Sequence, residues 1–99
     1  MKELKVLETS SNVKKVVDNS DYARGLSRVR VFFKNGHELS IIRGLGTYGG
    51  DEGLFEIMPS DPKMLNSQVA ADEYPDEVEG YLTFEQVNAY IKKIGEAKS

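Results

Sequence analysis

The sequence contains no cysteine, no tryptophan and a single histidine among its 99 residues. Without cysteine the chain has no disulfide framework, no thiolate zinc site and no thiol nucleophile. A histidine-based acid–base mechanism would have to use His37, and no neighbouring residue in the sequence orients that ring. One histidine without cysteine also argues against a transition-metal site. These absences favour a protein that is not an enzyme and that needs no cofactor.

Long apolar segments are also missing from the sequence. A membrane-spanning helix needs about 20 consecutive apolar residues, and the apolar runs here extend over only a few positions. The start of the chain, Met1–Lys5, lacks the apolar stretch of a secretory signal. Hydrophobic residues still make up 39% of the chain, as in folded globular proteins. We therefore expect one intracellular domain over residues 1–99, without membrane contact.

The net charge of −3 conceals an uneven distribution along the chain. Residues 1–50 hold nine basic and five acidic residues, whereas residues 51–99 hold four basic and eleven acidic residues. Acidity is concentrated in Asp72–Glu79, where five carboxylates surround Tyr74 and Pro75, which predicts an exposed loop. The asymmetry indicates interaction surfaces, or else a solvated face on each half of the chain.

The C-terminal region predicts one amphipathic helix. Thr83 and Gln86 have the spacing of a capping box, in which each side chain accepts from the backbone of the other. Apolar residues then recur at helical spacing on one face, at Phe84, Val87, Ile91 and Ile94, with Tyr90 beside them. Gly95 is expected to end the helix. The apolar face predicts packing against a sheet.

A β-hairpin is predicted around Asn35-Gly36, between the runs Ser27–Phe33 and His37–Ile42. A three-residue turn, with Gly36 in the left-handed region and a bulge, gathers the apolar side chains of both strands on one face. It pairs Phe33 with His37, Val31 with Leu39 and Val29 with Ile41. Arg28 and Arg30 then project together from the solvent face.

Further strands are predicted at Gly53–Met58, Leu4–Thr9 and Asn12–Val17, with an edge strand at Val78–Leu82. Residues 60–79 form a long connection that either holds a short helical turn near Pro62–Val69 or is a functional loop. The fold class is α+β, a small antiparallel sheet of about four to five strands packed with one C-terminal α-helix.

Five of the nine glycines lie within the stretch Arg43–Gly53. The Gly-x-Gly-x-x-Gly spacing from Gly44 to Gly49 matches the dinucleotide-binding pattern, but that pattern requires a helix after the loop, where this sequence predicts a strand. Two interpretations stay open: a hairpin connection that needs positive φ values, or a loop whose amides bind an anion or a partner. Under the second interpretation the candidate binding residues are Arg43, Gly44, Gly46, Thr47, Tyr48, Gly49, Gly50 and Asp51, together with Tyr74 of the acidic loop.

Single-stranded nucleic acid is a weaker alternative. A sheet face with Arg28, Arg30 and Arg43 beside Phe32 and Tyr48 has the cations and rings that stack bases. The aromatic–basic pattern of an RNA-recognition strand is absent, however, and a net acidic chain attracts phosphate poorly. The sequence therefore argues against a nucleic-acid partner.

Four stretches of the chain carry a resemblance to one family, namely Val31–Gly36, Ser40–Ile42, Tyr48–Glu56 and Gly80–Thr83. In them the chain resembles short, uncharacterised proteins encoded by bacteriophages and prophages, which share an Asn-Gly hairpin, a Tyr-Gly-Gly loop and a Gly-aromatic-Leu-Thr entry to a final helix. The similarity extends over residues 28–94. The family has no assigned activity, so the resemblance implies an origin, in the cytoplasm of a bacterial host, rather than a mechanism.

The leading hypothesis is a non-enzymatic protein that binds another protein through the glycine-rich loop (Gly44–Gly53) and the acidic loop (Asp72–Glu79). By analogy with other small phage proteins, that partner is a host protein, and the effect is inhibition or modulation, for example of a defence system. The alternative is a small-molecule or nucleotide binder in which Gly44–Gly50 cradles an anionic group and Arg43 neutralises it. The sequence leaves the oligomeric state open.

Overall fold

The computed structural model describes residues 12–44, 53–65 and 78–97. In this part of the chain five strands form one antiparallel sheet, and an α-helix follows the last strand. The strands are β1 (Val13–Asp18), β2 (Ser27–Phe33), β3 (Glu38–Arg43), β4 (Phe55–Pro59) and β5 (Glu79–Leu82), and the helix is α1 (Phe84–Glu96). Short 3-10 turns lie at Tyr22–Arg24 and Pro62–Met64. The predicted α+β fold with its C-terminal helix is confirmed.

Each strand pairs with its neighbour in sequence, in the order β1-β2-β3-β4-β5. Such a meander needs only local connections, which antiparallel strands allow. The expected edge strand is β5, at one end of this sheet, and the turn Pro62–Met64 agrees with a short helical turn in the long connection. The predicted strand Leu4–Thr9 lies outside the described residues.

The hairpin between β2 and β3 has the predicted register. Val29 pairs with Ile41 and Val31 with Leu39. The amide of Gly36 donates to the carbonyl of Phe33 at 3.1 Å, and Gly36 has φ +94°. The left-handed glycine closes a three-residue turn with a bulge, and this register places the apolar side chains of both strands on one face.

The core lies between that face and α1. Buried side chains alternate along the central strands, as expected for a sheet with one covered face. The helix contributes Val87, Tyr90, Ile91 and Ile94 to the core. The Tyr90 hydroxyl donates a hydrogen bond to the Glu79 carboxylate, which ties α1 to β5. Among the described residues, no helix has both the length and the apolar character needed to cross a membrane.

The start of α1 is as predicted, but its end is not. Thr83 accepts from the Gln86 amide at 3.2 Å, and the Gln86 side chain accepts from the Thr83 amide at 2.8 Å, so the capping box is confirmed. The helix continues through Gly95 to Glu96, and the prediction that Gly95 ends it is wrong. A Cβ atom at Gly95 would lie 2.8 Å from Asn12 Cβ and 3.3 Å from Phe33 Cδ1. Glycine is therefore required here for close packing of the helix on the sheet.

Candidate functional site

The side of the sheet opposite α1, called the open face below, presents a cluster of polar and apolar side chains. It forms a shallow cavity of about 260 Å³. The cavity is lined by Arg28, Arg30, Ser40, Ile42, Glu56, Met58 and Val78. Three neighbouring strands and the residue that precedes β5 therefore contribute to one surface.

Strand alternation explains how these residues come together. Arg28 and Arg30 flank the buried Val29, so they point away from the core. The register then places neighbours in two rows across the sheet, Arg30–Ser40–Met58 and Arg28–Ile42–Glu56. The prediction that the two arginines project together from the solvent face is confirmed.

Arg28 and Arg30 differ from Arg24, which precedes β2, in the surroundings of their side chains. No hydrogen bond or ion pair within the described residues engages either the Arg28 or the Arg30 guanidinium, and both residues are exposed. Arg24, in contrast, pairs with Asp21 at 3.4 Å. Glu56, which also lines the cavity, already takes part in an interaction within the protein. The open face thus carries two guanidinium groups that have no acceptor in the part of the chain that the structure describes.

Two large apolar side chains are exposed in the described part of the chain, Met58 at 45% and Tyr81 at 51%. Met58 lines the cavity itself. Tyr81 lies in β5, where a bulge sets Gly80 and Tyr81 opposite Glu56, and it has φ +57°. A bulky residue in the left-handed region is uncommon, and such positions occur often at functional sites.

Of the site residues proposed from the sequence, the structure describes only Arg43 and Gly44. The others, Gly46, Thr47, Tyr48, Gly49, Gly50, Asp51 and Tyr74, lie outside the described residues. Arg43 ends β3 and its guanidinium lies 4.7 Å from the ring centroid of Phe55, a core residue. Its side chain is therefore on the core side of the sheet. The nucleic-acid alternative requires Arg28, Arg30 and Arg43 on one face of the sheet, and such a face is not formed. Arg43 pairs with Ser27, and side chains alternate along a strand, so Arg43 lies on the side of the sheet opposite to Arg28 and Arg30.

Gly44 has a structural reason to be glycine. A Cβ atom at this position would lie 2.5 Å from the carbonyl oxygen of Gly25 and 3.1 Å from Leu26 Cα. The chain after β3 therefore passes directly against the turn before β2. For Gly44 this contact favours the structural interpretation of the glycine, since no ligand is needed to explain it.

His37 lies at the mouth of the hairpin, as predicted. Its amide donates to the Asn35 side chain at 3.0 Å, and its carbonyl accepts from the Phe33 amide at 2.9 Å. The ring is partly buried, and its Nε2 has no hydrogen-bond partner among the described residues. In the same part of the chain no three histidine, aspartate or glutamate side chains are placed to hold a metal ion.

Sequence reasoning missed Met58 as a surface residue of interest. The alternation of β4 would have placed it opposite the buried Ile57, but only the pairing of β4 with β3 brings it beside Arg30 and Ser40. In comparisons with known proteins, no family model, no curated protein and no solved structure matches the chain. The resemblance to phage-encoded proteins therefore stays a prediction.

Proposed function

We propose that this protein acts without catalysis, by binding another protein, and that the open face of the sheet is part of the contact surface. The observation that carries the proposal is the exposed Met58 in one cavity with Arg28 and Arg30. Arginine and methionine are enriched in protein interfaces relative to the rest of the surface. The flexible thioether of methionine adapts to partner surfaces, and arginine is frequent among the residues that dominate binding energy.

Residues at the ends of the two loops favoured by the sequence lie in the described part of the chain. Val78 lies near the end of the predicted acidic loop (Asp72–Glu79) and lines the same cavity, and Gly44 begins the glycine-rich loop at the end of β3. We propose that both loops join the open face in the contact. The resemblance to phage-encoded proteins supports a bacterial host protein as the partner, and inhibition or modulation of that protein as the effect.

The experiment is a capture assay with the immobilised protein and a bacterial lysate. Wild-type protein should retain a defined host protein at near-stoichiometric amounts. Met58→Lys should reduce recovery by about tenfold, because a charge replaces an apolar side chain at the centre of the contact. Ala89→Lys is the matched control, since Ala89 is exposed on α1 and the same charge is added on the other side of the sheet.

Two results would count against the proposal. Recovery of no protein by wild type, above the background of an unrelated immobilised protein, contradicts protein binding. Equal loss of recovery with Met58→Lys and Ala89→Lys contradicts the open face as the contact surface, because it would follow from net charge alone.

A further inference from the structure

From the arrangement of Arg28 and Arg30 we infer that the open face binds an acidic, extended segment of the partner, with carboxylates at alternate positions over β2. This inference rests on the proposed function and names the chemistry of the partner. Each guanidinium presents a planar set of donors that matches a carboxylate with two parallel hydrogen bonds. Neither guanidinium has an acceptor within the described residues.

The spacing of the two arginines determines the shape of the segment. They are two residues apart on one strand, which is about 7 Å along a β-strand. Alternate side chains of an extended peptide have the same spacing and point the same way. A segment that lies on the face and runs along β2, as strands of packed sheets do, can place one carboxylate on each arginine.

The remaining residues of the cavity lining indicate that the bound partner segment also carries apolar side chains along one edge. Ile42 and Met58 offer apolar contact beside the arginines, and Ser40 adds a hydroxyl between them. Glu56 lies on the β4 side of the cavity, whereas the positive charge of Arg28 and Arg30 lies along β2. An acidic segment with interspersed apolar residues fits this pattern better than a uniformly charged one.

Nucleic acid fits the same surface less well. No aromatic ring is present in the lining given by the described residues, whereas single-stranded nucleic acid is held largely by stacking on rings. Two arginines on a chain of net charge −3 also give little attraction for a polyanion. A protein segment needs only a few local carboxylates, which two arginines can match.

The test measures binding of a fluorescein-labelled decapeptide of alternating glutamate and valine by fluorescence anisotropy. Wild-type protein should bind it with an affinity that falls as salt is raised. Arg28→Glu and Arg30→Glu should each weaken binding by about tenfold, because an attraction becomes a repulsion. Arg28→Lys and Arg30→Lys keep the charge but lose the paired donors, and should weaken binding by about threefold. Circular dichroism checks that each variant is folded.

Arg24→Glu is the matched control. Arg24 is exposed, lies outside the cavity and undergoes the same change in net charge, so it should leave binding unchanged. An equal effect of Arg24→Glu, or no binding by wild type, overturns the inference. Binding of a thymidine oligonucleotide that is lost in the same arginine variants also overturns it, in favour of nucleic acid. Self-association of wild type that Arg28→Glu abolishes, measured by light scattering, overturns it in favour of a second copy of the chain.

The capture assay separates this inference from the proposed function. If the Arg28→Glu, Arg30→Glu double variant retains the host protein as well as wild type does, the acidic-segment inference fails and protein binding stands. If wild type retains no protein, the proposed function fails whatever the peptide does. Loss of recovery in the double variant, together with retention by Arg24→Glu, supports both.

Discussion

The side-chain amide of Asn35, in the turn between β2 and β3, donates to the backbone carbonyl of Ile94 in the last turn of α1 at 2.8 Å. The same amide nitrogen donates to the carbonyl of Ala97, also at 2.8 Å. Carbonyl groups at the end of a helix have no partner within the helix, so a residue of the hairpin supplies the C-terminal cap. Asn35 therefore closes its own turn and fixes the helix to the sheet.

Replacement of Asn35 tests this cap. Asn35→Ala should lower the free energy of unfolding by about 2 kcal/mol, because two hydrogen bonds to carbonyls at the end of α1 and one from the His37 amide are lost. Asn35→Asp should lower it further at neutral pH, since a carboxylate would face carbonyl oxygens at the negative end of the helix dipole. Urea denaturation followed by circular dichroism provides the measurement.

The pH dependence of these variants has a definite sign. The carboxyl introduced by Asn35→Asp is disfavoured when charged in the folded state, so its folded pKa lies above its unfolded pKa. The free energy of unfolding of the Asn35→Asp variant, relative to that of Asn35→Ala, should therefore rise as the pH falls and the carboxyl becomes protonated. Asn88→Ala, on the exposed side of α1, should cause no loss. A uniform loss in all three variants at every pH would contradict a specific role for Asn35.

Gly95 provides a second test of how α1 meets the sheet. Alanine favours a helix over glycine by about 1 kcal/mol, yet Gly95→Ala should destabilise the protein by about 1–2 kcal/mol, because the methyl group would meet Asn12 and Phe33. The midpoint of urea unfolding measures the change. A gain in stability would show that the contact is loose.

The companion variant Asn12→Gly removes the nearest atoms. In the double variant, Gly95→Ala should cost less than it does in the wild-type background, which a double-mutant cycle detects as coupling. Additive effects would indicate that the two positions do not touch.

Local patterns were sufficient to predict much of this fold. The Asn-Gly turn fixed the register of β2 and β3, and the spacing of Thr83 and Gln86 located the start of α1, because each signal involves residues close in sequence. The wrong assignment at Gly95 has the opposite origin. A glycine late in a helix is typical of a helix end, and the contact with Asn12 that explains it joins the two ends of the described chain.

The residues of the candidate site also differ in whether short stretches of the sequence could place them. The exposure of Arg28 and Arg30 follows from alternation within one hairpin and could be predicted. Met58 could not be placed beside them, since the pairing of β4 with β3 is not encoded in a short stretch. For Arg43, counting along β3 from Leu39 would have placed it on the core side, but its contact with Phe55 depends again on β4.

Gly44 and Gly53, at the two ends of the glycine-rich loop, should respond differently to the same change. Gly44→Asn should destabilise the protein by about 2 kcal/mol or more, because the backbone oxygen of Gly25 cannot move aside. Gly53 has φ +74° and open space around it, and asparagine adopts that conformation more readily than other residues. Gly53→Asn should therefore cost less than about 1 kcal/mol.

Thermal and urea unfolding of both variants make this comparison. Equal losses at Gly44 and Gly53 would show that the contact with Gly25 is not limiting. Gly44→Asn should reduce capture of the partner only under conditions in which it also destabilises the protein. The reason is that the contact with Gly25, and not a partner, requires glycine at this position.

Tyr81 is expected to lower the stability of the protein relative to glycine at the same position. Its φ of +57° is unfavourable for a residue with a Cβ atom by about 1–2 kcal/mol, and its side chain is 51% exposed. Tyr81→Gly relieves the strain but increases the entropy of the unfolded chain, so the free energy of unfolding should rise by about 0.5–1 kcal/mol. A fall of similar size would show that the ring packs on the protein.

The same variant connects stability with function. Exposed tyrosines are frequent among the residues that dominate protein interfaces, and β5 lies beside β4 at the edge of the open face. If Tyr81 contacts the partner, Tyr81→Gly should be more stable than wild type and yet retain less of the captured protein. Met58→Ala should share the second effect but not the first, since no positive φ is relieved there. Greater stability with undiminished capture would exclude Tyr81 from the contact surface, and the bulge in β5 would then serve only the geometry of the sheet edge.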